Sequence, residues 1–236
     1  MKKILSISLF LAIALSMVTT VCAGTFPDTD NHWADGDIII LKCTGMAHGI
    51  PTIVDGQEVN LFCPDKDTTR AEIAKFLSRS LKLTQYSSSN NAYDDAFALG
   101  MDNHFSDVHE LDWFYLDIII VKNAGIMNGY PDGTFLPNEP VTREETAQII
   151  SNYIDFINQY RDEKNVIEKG NVTENYADDS IISEWAKPAV YALPFIQGST
   201  GNQVMYGYPD GTFRPQHHLT RGSAAAVLVW LGEVRK

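Results

Sequence analysis

The chain has few basic residues, few cysteines and only one long apolar run. The charge balance argues against a nucleic-acid-binding protein, and the shortness of the apolar run argues against a membrane-spanning one. Its 18 lysines and arginines face 30 aspartates and glutamates, which gives a net charge of −12 at pH 7. Nucleic-acid binding rests on a basic surface, so this balance argues against DNA or RNA as a partner. Any anion that the protein binds must be held by individual cations.

The sequence also lacks the residue patterns of a catalytic centre. Its six histidines include no pair at metal-ligand spacing, such as the HExxH pattern on a helix. No serine stands in the context of a nucleophile elbow, and no specific pair of carboxylates indicates a hydrolase. The segment 28–30 lacks the glycine and the closing glutamate of a twelve-residue calcium loop. We therefore predict no enzyme activity, no metal and no cofactor.

The one long apolar run lies at the N-terminus. Two lysines precede Leu5–Val18, and the small residues of Val21–Ala23 follow, as is typical of a signal peptide occupying residues 1–23. A lipoprotein signal with Cys22 as the lipidated residue is an alternative. The run is too short to span a bilayer comfortably, so we expect an exported chain that does not span the membrane. Loss of the two lysines would change the net charge to −14.

Two cysteines, Cys43 and Cys63, follow the predicted signal. In an exported protein a disulfide can persist, and a bridge between these two would close a loop at a gain of roughly 3 kcal/mol. The alternative is that they are two separate small apolar residues. Neither is expected to be catalytic, and both interpretations stay open at this point.

What the chain does have is one unit written three times. Each copy starts with an aromatic residue, any residue and Asp, and a tryptophan follows seven to nine residues after the aromatic. Later in each copy a proline, four residues and Thr-Arg precede an apolar run. Repetition of this kind predicts one architecture built from similar units. The tryptophans are Trp33, Trp113 and Trp185, and the motif pairs are Thr69-Arg70, Thr142-Arg143 and Thr220-Arg221.

Each unit is predicted to form a helix, a turn-rich loop and a second helix. Apolar residues recur at helical spacing in the second unit, from about Trp113 through Ala124, and a Pro-Asp-Gly turn follows. Two short amphipathic helices cannot bury their own apolar faces, whereas three units together can. We therefore predict a mostly α domain of three helix-loop-helix repeats, at 24–88, 105–160 and 176–236, with short turn or hairpin loops.

The Thr-Arg motif indicates where the second helices begin, at or next to its threonine. Thr and Glu at the spacing found in the first two copies form a capping box, in which each side chain accepts a backbone N–H of the other residue. The third copy has Ser223 in place of the glutamate. The predicted capping residues are Thr69, Glu72, Thr142, Glu145 and Thr220.

The arginine of the motif has no such explanation, because a cation in the first helical turn opposes the helix dipole. It is therefore expected to add little to fold stability. Two roles are open. The guanidinium holds an anion beside the helix N-terminus, or it forms a salt bridge with the motif aspartate of a neighbouring unit, such as Asp107.

The combined motifs resemble the S-layer homology module. The resemblance rests on Phe-x-Asp followed by Trp, on Gly-Tyr-Pro-Asp-Gly-Thr-Phe and on Pro-x4-Thr-Arg-(Ala/Glu)-Glu. It covers nearly all of the chain after the predicted signal, in three copies, of which the second matches best. It implies three modules joined in a pseudo-threefold, mostly helical domain. It also implies non-covalent attachment to the secondary polysaccharide of a bacterial cell wall, often through pyruvylated sugars, and hence a secreted protein at the cell surface.

In this sequence the resemblance implies that the motif arginines pair with a pyruvate carboxylate in grooves between modules. The tyrosines of the turns would offer their faces to sugar rings, and so would the tryptophans, although burial in the core is the favoured role for the tryptophans. A rival interpretation is a protein of the same fold that binds peptidoglycan or another surface protein through an exposed apolar patch. The implied polysaccharide-binding residues are Arg70, Arg143, Arg221, Tyr130, Tyr208, Trp33, Trp113 and Trp185.

Overall fold

The structure is a computed structural model that describes residues 25–82, 100, 105–159, 176–196 and 204–234. The predicted signal peptide lies outside these residues. The regular structure of the described part consists of six α-helices and one β-hairpin, with two short 3-10 turns, so the prediction of a mostly helical chain is confirmed. The elements are α1 (Asp35–Cys43), β1 (Ile50–Val54), β2 (Gln57–Leu61), α2 (Arg70–Lys82), α3 (Tyr115–Asn123), α4 (Arg143–Asn158), α5 (Lys187–Ala192) and α6 (Arg221–Val234).

The second helices, α2, α4 and α6, each begin one residue after a motif threonine, as predicted. In α4 the Glu145 N–H donates to the Thr142 hydroxyl at 3.3 Å, and the Thr142 N–H donates to the Glu145 carboxylate at 2.9 Å. The same two hydrogen bonds join Thr69 and Glu72 at the start of α2. These are complete capping boxes.

The first helices are short and end in two different ways. After α1 and α3 a glycine takes a positive φ, 70° at Gly45 and 68° at Gly125, which is the usual residue just past a helix end. Helix α5 has only six residues and continues into a 3-10 turn at Leu193–Phe195. Pro194 in that turn has no N–H to donate to the α-helical ladder, so α5 is shorter than α1 and α3.

The loop of the first repeat contains the hairpin. Strands β1 and β2 pair antiparallel, from Ile50 opposite Leu61 to Val54 opposite Gln57. The two residues between them, Asp55 and Gly56, both have positive φ values, 51° and 77°. Asp-Gly with this geometry is a preferred connection for a two-residue hairpin.

Packing between helices joins different repeats. Helix α3 packs on α2, α5 packs on α4, and α1 packs on α6. Each first helix therefore lies on the second helix of another repeat, and the pair α1 and α6 brings the first repeat against the last. One cluster of buried apolar side chains includes residues of all three repeats, among them Ile38, Ile119 and Val190.

The segments that enter the second helices hydrogen-bond to one another in a closed ring. The Thr68 N–H donates to the Leu219 carbonyl at 2.8 Å, the Leu219 N–H donates to the Val141 carbonyl at 2.9 Å, and the Val141 N–H donates to the Thr68 carbonyl at 2.9 Å. Every repeat gives one donor and one acceptor. Loss of any repeat would leave two backbone groups of this ring without their partners.

The motif aspartates fix the loops of their own repeats. Asp107 accepts the N–H groups of Phe135 and Leu136, both at 2.8 Å, and Asp28 and Asp178 make the equivalent pairs of hydrogen bonds. The second residue of each pair takes a positive φ that is unusual for a residue with a side chain. These φ values are 56° at Cys63, 55° at Leu136 and 57° at Arg214.

The disulfide bond considered between Cys43 and Cys63 does not form, because Cys63 is a free thiol. Cys63 occupies the left-handed position whose N–H is held by Asp28 at 2.6 Å. The other two repeats fill this position with Leu136 and Arg214, so the position requires a backbone conformation and not a sulfur atom.

Candidate functional site

Three open grooves each lie beside one motif arginine, and we name them the Arg70, Arg143 and Arg221 grooves. Their volumes are about 600, 560 and 460 Å³. Every groove is built from three repeats. In the Arg70 groove the arginine comes from the first repeat, the loop with Tyr130 and the helix residue Glu145 come from the second, and Trp185 comes from the third.

The motif arginines are fixed by the backbone of the next repeat. The Nε of Arg70 donates to the Phe135 carbonyl at 2.8 Å, and its guanidinium lies 4.7 Å from the centre of the Phe135 ring. Arg143 donates in the same way to the Phe213 carbonyl at 2.8 Å, and Arg221 donates to the Phe62 carbonyl at 2.7 Å.

These contacts correct two expectations about the arginines. Among the described residues, none of the three pairs with a motif aspartate, because the aspartates hold loop N–H groups instead. The arginines are also not neutral for the fold, since Arg70 and Arg221 are buried, at 4% and 3% exposure. A buried guanidinium with hydrogen-bonded partners contributes to stability through contacts that a single helix does not reveal.

The capping glutamates are the second partners of two arginines. Glu145 caps α4 with Oε2 and accepts with Oε1 from the Arg70 Nη1 at 3.3 Å and from the Tyr130 hydroxyl at 2.5 Å. Glu72 accepts from the Arg221 Nη1 at 2.6 Å. Burial and the hydrogen bond to Glu145 raise the pKa of Tyr130 to about 12, so this hydroxyl keeps its proton at neutral pH.

The Arg143 groove has a different composition. Ser223 stands where the other two grooves have a glutamate, and Arg143 is half-buried rather than buried. Its Nη2 donates to the Tyr206 carbonyl at 3.0 Å, and its guanidinium lies 4.9 Å from the centre of the Tyr208 ring. Burial lowers the pKa of Arg143, yet an arginine side chain stays protonated in proteins.

The motif tryptophans are exposed, so the expectation that they are buried in the core is wrong. Trp33, Trp113 and Trp185 are 66%, 57% and 53% exposed, and each lines a different groove. The next residue along the chain takes the core position instead. These buried neighbours are Ala34, Phe114 and Ala186.

Sequence reasoning missed a set of cations in the Arg221 groove. Lys75 and Arg79 lie one helical turn apart on α2, and His48 lies on the loop opposite. The Arg79 Nη1 donates to the Met46 carbonyl at 3.0 Å and lies 2.9 Å from the His48 Nδ1. Burial and the neighbouring Arg79 lower the pKa values of both His48 and Lys75. The i, i+4 spacing of the two cations was the available signal, but only the fold shows that they share a groove with Arg221.

The described residues contain no group of three His, Cys, Asp or Glu side chains that could hold a metal ion. No helix in the described ranges is long and apolar enough to cross a bilayer.

Fold and grooves together define a helical repeat protein whose repeats meet at open, arginine-lined grooves. The sequence model of the family described as "S-layer homology domain" matches residues 104–147 and 175–225. The second and third repeats therefore contain S-layer homology domain sequence. The first repeat lies outside the matched segments, but its Asp28 and Arg70 make the same kinds of contact as their counterparts.

The chain is similar to several larger bacterial proteins. It is 28% identical over 173 residues to the "Cellulosome-anchoring protein" of Acetivibrio thermocellus. The aligned region covers 73% of this chain and 34% of that protein. It is 31% identical over 210 residues to the "Amylopullulanase" of Thermoanaerobacterium thermosulfurigenes, covering 89% of this chain and 10% of that protein. Identity to "S-layer protein sap" of Bacillus anthracis is 26% over 152 residues, covering 63% and 16%. The chain thus spans between 10% and 34% of the length of these relatives.

Proposed function

We propose that this protein anchors at the bacterial cell surface by binding secondary cell-wall polysaccharide non-covalently in the grooves between its repeats. The observation that carries the proposal is the composition of each groove, which joins a fixed guanidinium to an exposed tryptophan from another repeat. The family match and the names of relatives such as the cellulosome-anchoring protein support an anchoring role. The predicted signal peptide is consistent with secretion.

The chemistry of the grooves suits an acidic sugar. A guanidinium presents a planar pair of donors that matches a carboxylate, such as the carboxylate of a pyruvylated sugar. An exposed indole offers a large apolar face on which a sugar ring can lie. Since the whole chain carries a net charge of −12, we expect binding to depend on these local cations and not on general attraction.

We further propose that the three repeats form one pseudo-threefold domain with three modules. The closed ring of backbone hydrogen bonds and the packing of each first helix on another repeat's second helix support this arrangement. A domain with several grooves would hold a repeating polymer at more than one point, and the combined affinity would exceed that of a single groove.

A pull-down with purified sacculi tests the proposed function. The purified protein is mixed with sacculi from a bacterium whose cell wall carries a secondary polysaccharide, before and after chemical removal of that polysaccharide. We expect the protein to sediment with intact sacculi and to stay in solution with stripped ones. Unchanged sedimentation with stripped sacculi would favour the rival function, binding to peptidoglycan or to another surface protein.

A further inference from the structure

The three grooves carry different net charges. The residues that line the Arg221 groove include three cations and one carboxylate, which gives this groove a net charge of +2. The Arg70 groove has one cation and one carboxylate, and the Arg143 groove has one cation alone. In a chain with a net charge of −12, the Arg221 groove is therefore the most positively charged of the three.

The additional charge of this groove comes from Lys75 and Arg79 on α2. They stand six and ten residues after the motif threonine Thr69, and the other two repeats have no charged residue at these positions. The equivalent residues are Gln148 and Asn152 in the second repeat and Ala226 and Trp230 in the third. The repeated motif therefore does not account for the two cations.

These side chains offer N–H donors that the described part of the protein does not use. The Lys75 amine lies 4.5 Å from the centre of the Trp113 ring and has no hydrogen-bond or ion-pair partner among the described residues. Arg79 uses its Nη1 for the Met46 carbonyl at 3.0 Å and for the His48 Nδ1 at 2.9 Å, which leaves its Nε and Nη2 without a partner in the described ranges. Because an arginine only donates, the His48 Nδ1 accepts, and its Nε2 carries the proton as a further donor.

The motif arginine is not part of this set of donors. The Arg221 Nε donates to the Phe62 carbonyl at 2.7 Å, and its Nη1 donates to Glu72 at 2.6 Å, so the charges of Arg221 and Glu72 balance each other. Asp117 also acts on Lys75, but it does not line the groove. The uncompensated positive charges of the groove are therefore those of Lys75 and Arg79.

We propose that Lys75, Arg79 and His48 form a binding site for a phosphate dianion, either inorganic phosphate or a phosphomonoester. Such a group carries a charge of about −1.5 to −2 at pH 7, which matches the two uncompensated cations, whereas a carboxylate or a phosphodiester carries a single charge. Guanidinium and ammonium groups both bind phosphate oxygens, and the neutral imidazole adds an N–H donor. The site goes beyond the proposed function, because its ligand is not a wall polysaccharide and its residues are not those of the repeated motif.

An NMR titration of the full chain with sodium phosphate at constant ionic strength tests this site. The signal to follow is the indole N–H of Trp113, since the Lys75 amine lies over that ring, and a Trp113→Phe variant assigns it. We expect a saturable shift with phosphate and a much weaker response to acetate, which carries one charge. Glycerol 3-phosphate distinguishes the two ligands, because a free-phosphate site would exclude it and a phosphomonoester site would bind it.

Substitutions at Lys75 separate this site from general attraction by positive charge. Lys75→Gln introduces the residue of the second repeat and should bind phosphate roughly tenfold more weakly, since a charge-assisted hydrogen bond is lost. Lys75→Arg keeps the charge and should bind about as tightly as the unmodified protein. Lys66→Gln is the matched control, because it removes an exposed lysine that does not line the groove, and it should leave the affinity unchanged.

The absence of a saturable shift in the unmodified protein would overturn the inference. It would also be overturned by an unchanged phosphate affinity of Lys75→Gln, or by an equal loss of affinity in Lys66→Gln. Acetate binding as tight as phosphate binding would contradict a dianion site. The titration contains no wall polymer, so its outcome is independent of the sacculi pull-down.

Discussion

At the scale of single residues, the motif arginine has a structural role that the sequence did not reveal. Each guanidinium joins two repeats by donating to a loop carbonyl of the next one, and two of the three also meet a carboxylate there. Substitution is therefore expected to affect stability as well as binding, and to do so unequally at the three positions.

Replacing Arg70 by Ala should destabilise the protein more than replacing Arg143 by Ala. Removal of Arg70 leaves the partly buried Glu145 without its cation, and breaking such a pair costs about 3–5 kcal/mol. Removal of Arg143 leaves no carboxylate behind and should cost about 1.5–3 kcal/mol through its lost hydrogen bonds. Urea denaturation followed by circular dichroism measures both values. A smaller cost for Arg70→Ala than for Arg143→Ala would contradict this account of the pair.

Gly129 is required because an aromatic ring lies against its backbone. A methyl group there would meet the Phe105 ring and the Thr134 carbonyl. We expect Gly129→Ala to lower the free energy of unfolding by about 1–3 kcal/mol through overpacking. Gly36 in α1 is the matched control, because a methyl group there has no neighbour within 4 Å, so Gly36→Ala should be neutral or stabilising. Equal thermal stability of the two variants would argue against close packing at Gly129.

At the scale of elements, the starts of the second helices were predictable and the details of the first helices and loops were not. The capping boxes are local in sequence, so Thr69 and Thr142 identify the beginnings of α2 and α4 by themselves. The short α5 depends on Pro194, and the hairpin of the first repeat depends on the pair Asp55-Gly56. Pro194 and Asp55-Gly56 are visible in the sequence. Whether a proline shortens a helix, or an Asp-Gly pair forms a hairpin turn, depends on how the surrounding chain packs.

The caps should differ in strength between repeats. Thr142 takes part in a complete box with Glu145, whereas Thr220 accepts one N–H, from Ser223, without a returning carboxylate. Replacing Thr142 by Ala should cost about 1 kcal/mol or somewhat more, and replacing Thr220 by Ala should cost less. Chemical denaturation of the two variants, with Thr142→Ser as a control that keeps the hydroxyl, measures the difference. A larger cost at Thr220 would contradict the expected difference in strength between the two caps.

At the scale of the whole molecule, the contacts between repeats link the stability of all three. The hydrogen-bond ring and the packing of α1 on α6 connect the first repeat to the last, which lie far apart in sequence. Arg70, Arg143 and Arg221 add one further link between each pair of repeats.

Removing the third repeat should therefore unfold the other two. A chain ending at residue 175 would lose Leu219 from the ring, α6 from its contact with α1, and the Phe213 partner of Arg143. We expect this truncated chain to lack a cooperative thermal transition and to be digested rapidly by protease, while the full chain unfolds in one transition. A truncated chain with native-like helicity and a sharp transition would mean that the repeats fold independently.

The sequence by itself determined the repetition, the helical class, the starts of the second helices and the motif that matches the family, because each of these depends on neighbours within a few residues along the chain. It did not determine that Trp33, Trp113 and Trp185 face solvent, because exposure depends on tertiary packing. In each repeat the residue that follows the tryptophan is the one buried in the core. It also did not determine the role of the arginines. Their partners lie 58 to 159 residues away in the chain, and only the tertiary structure brings a guanidinium to a carbonyl and a carboxylate of another repeat.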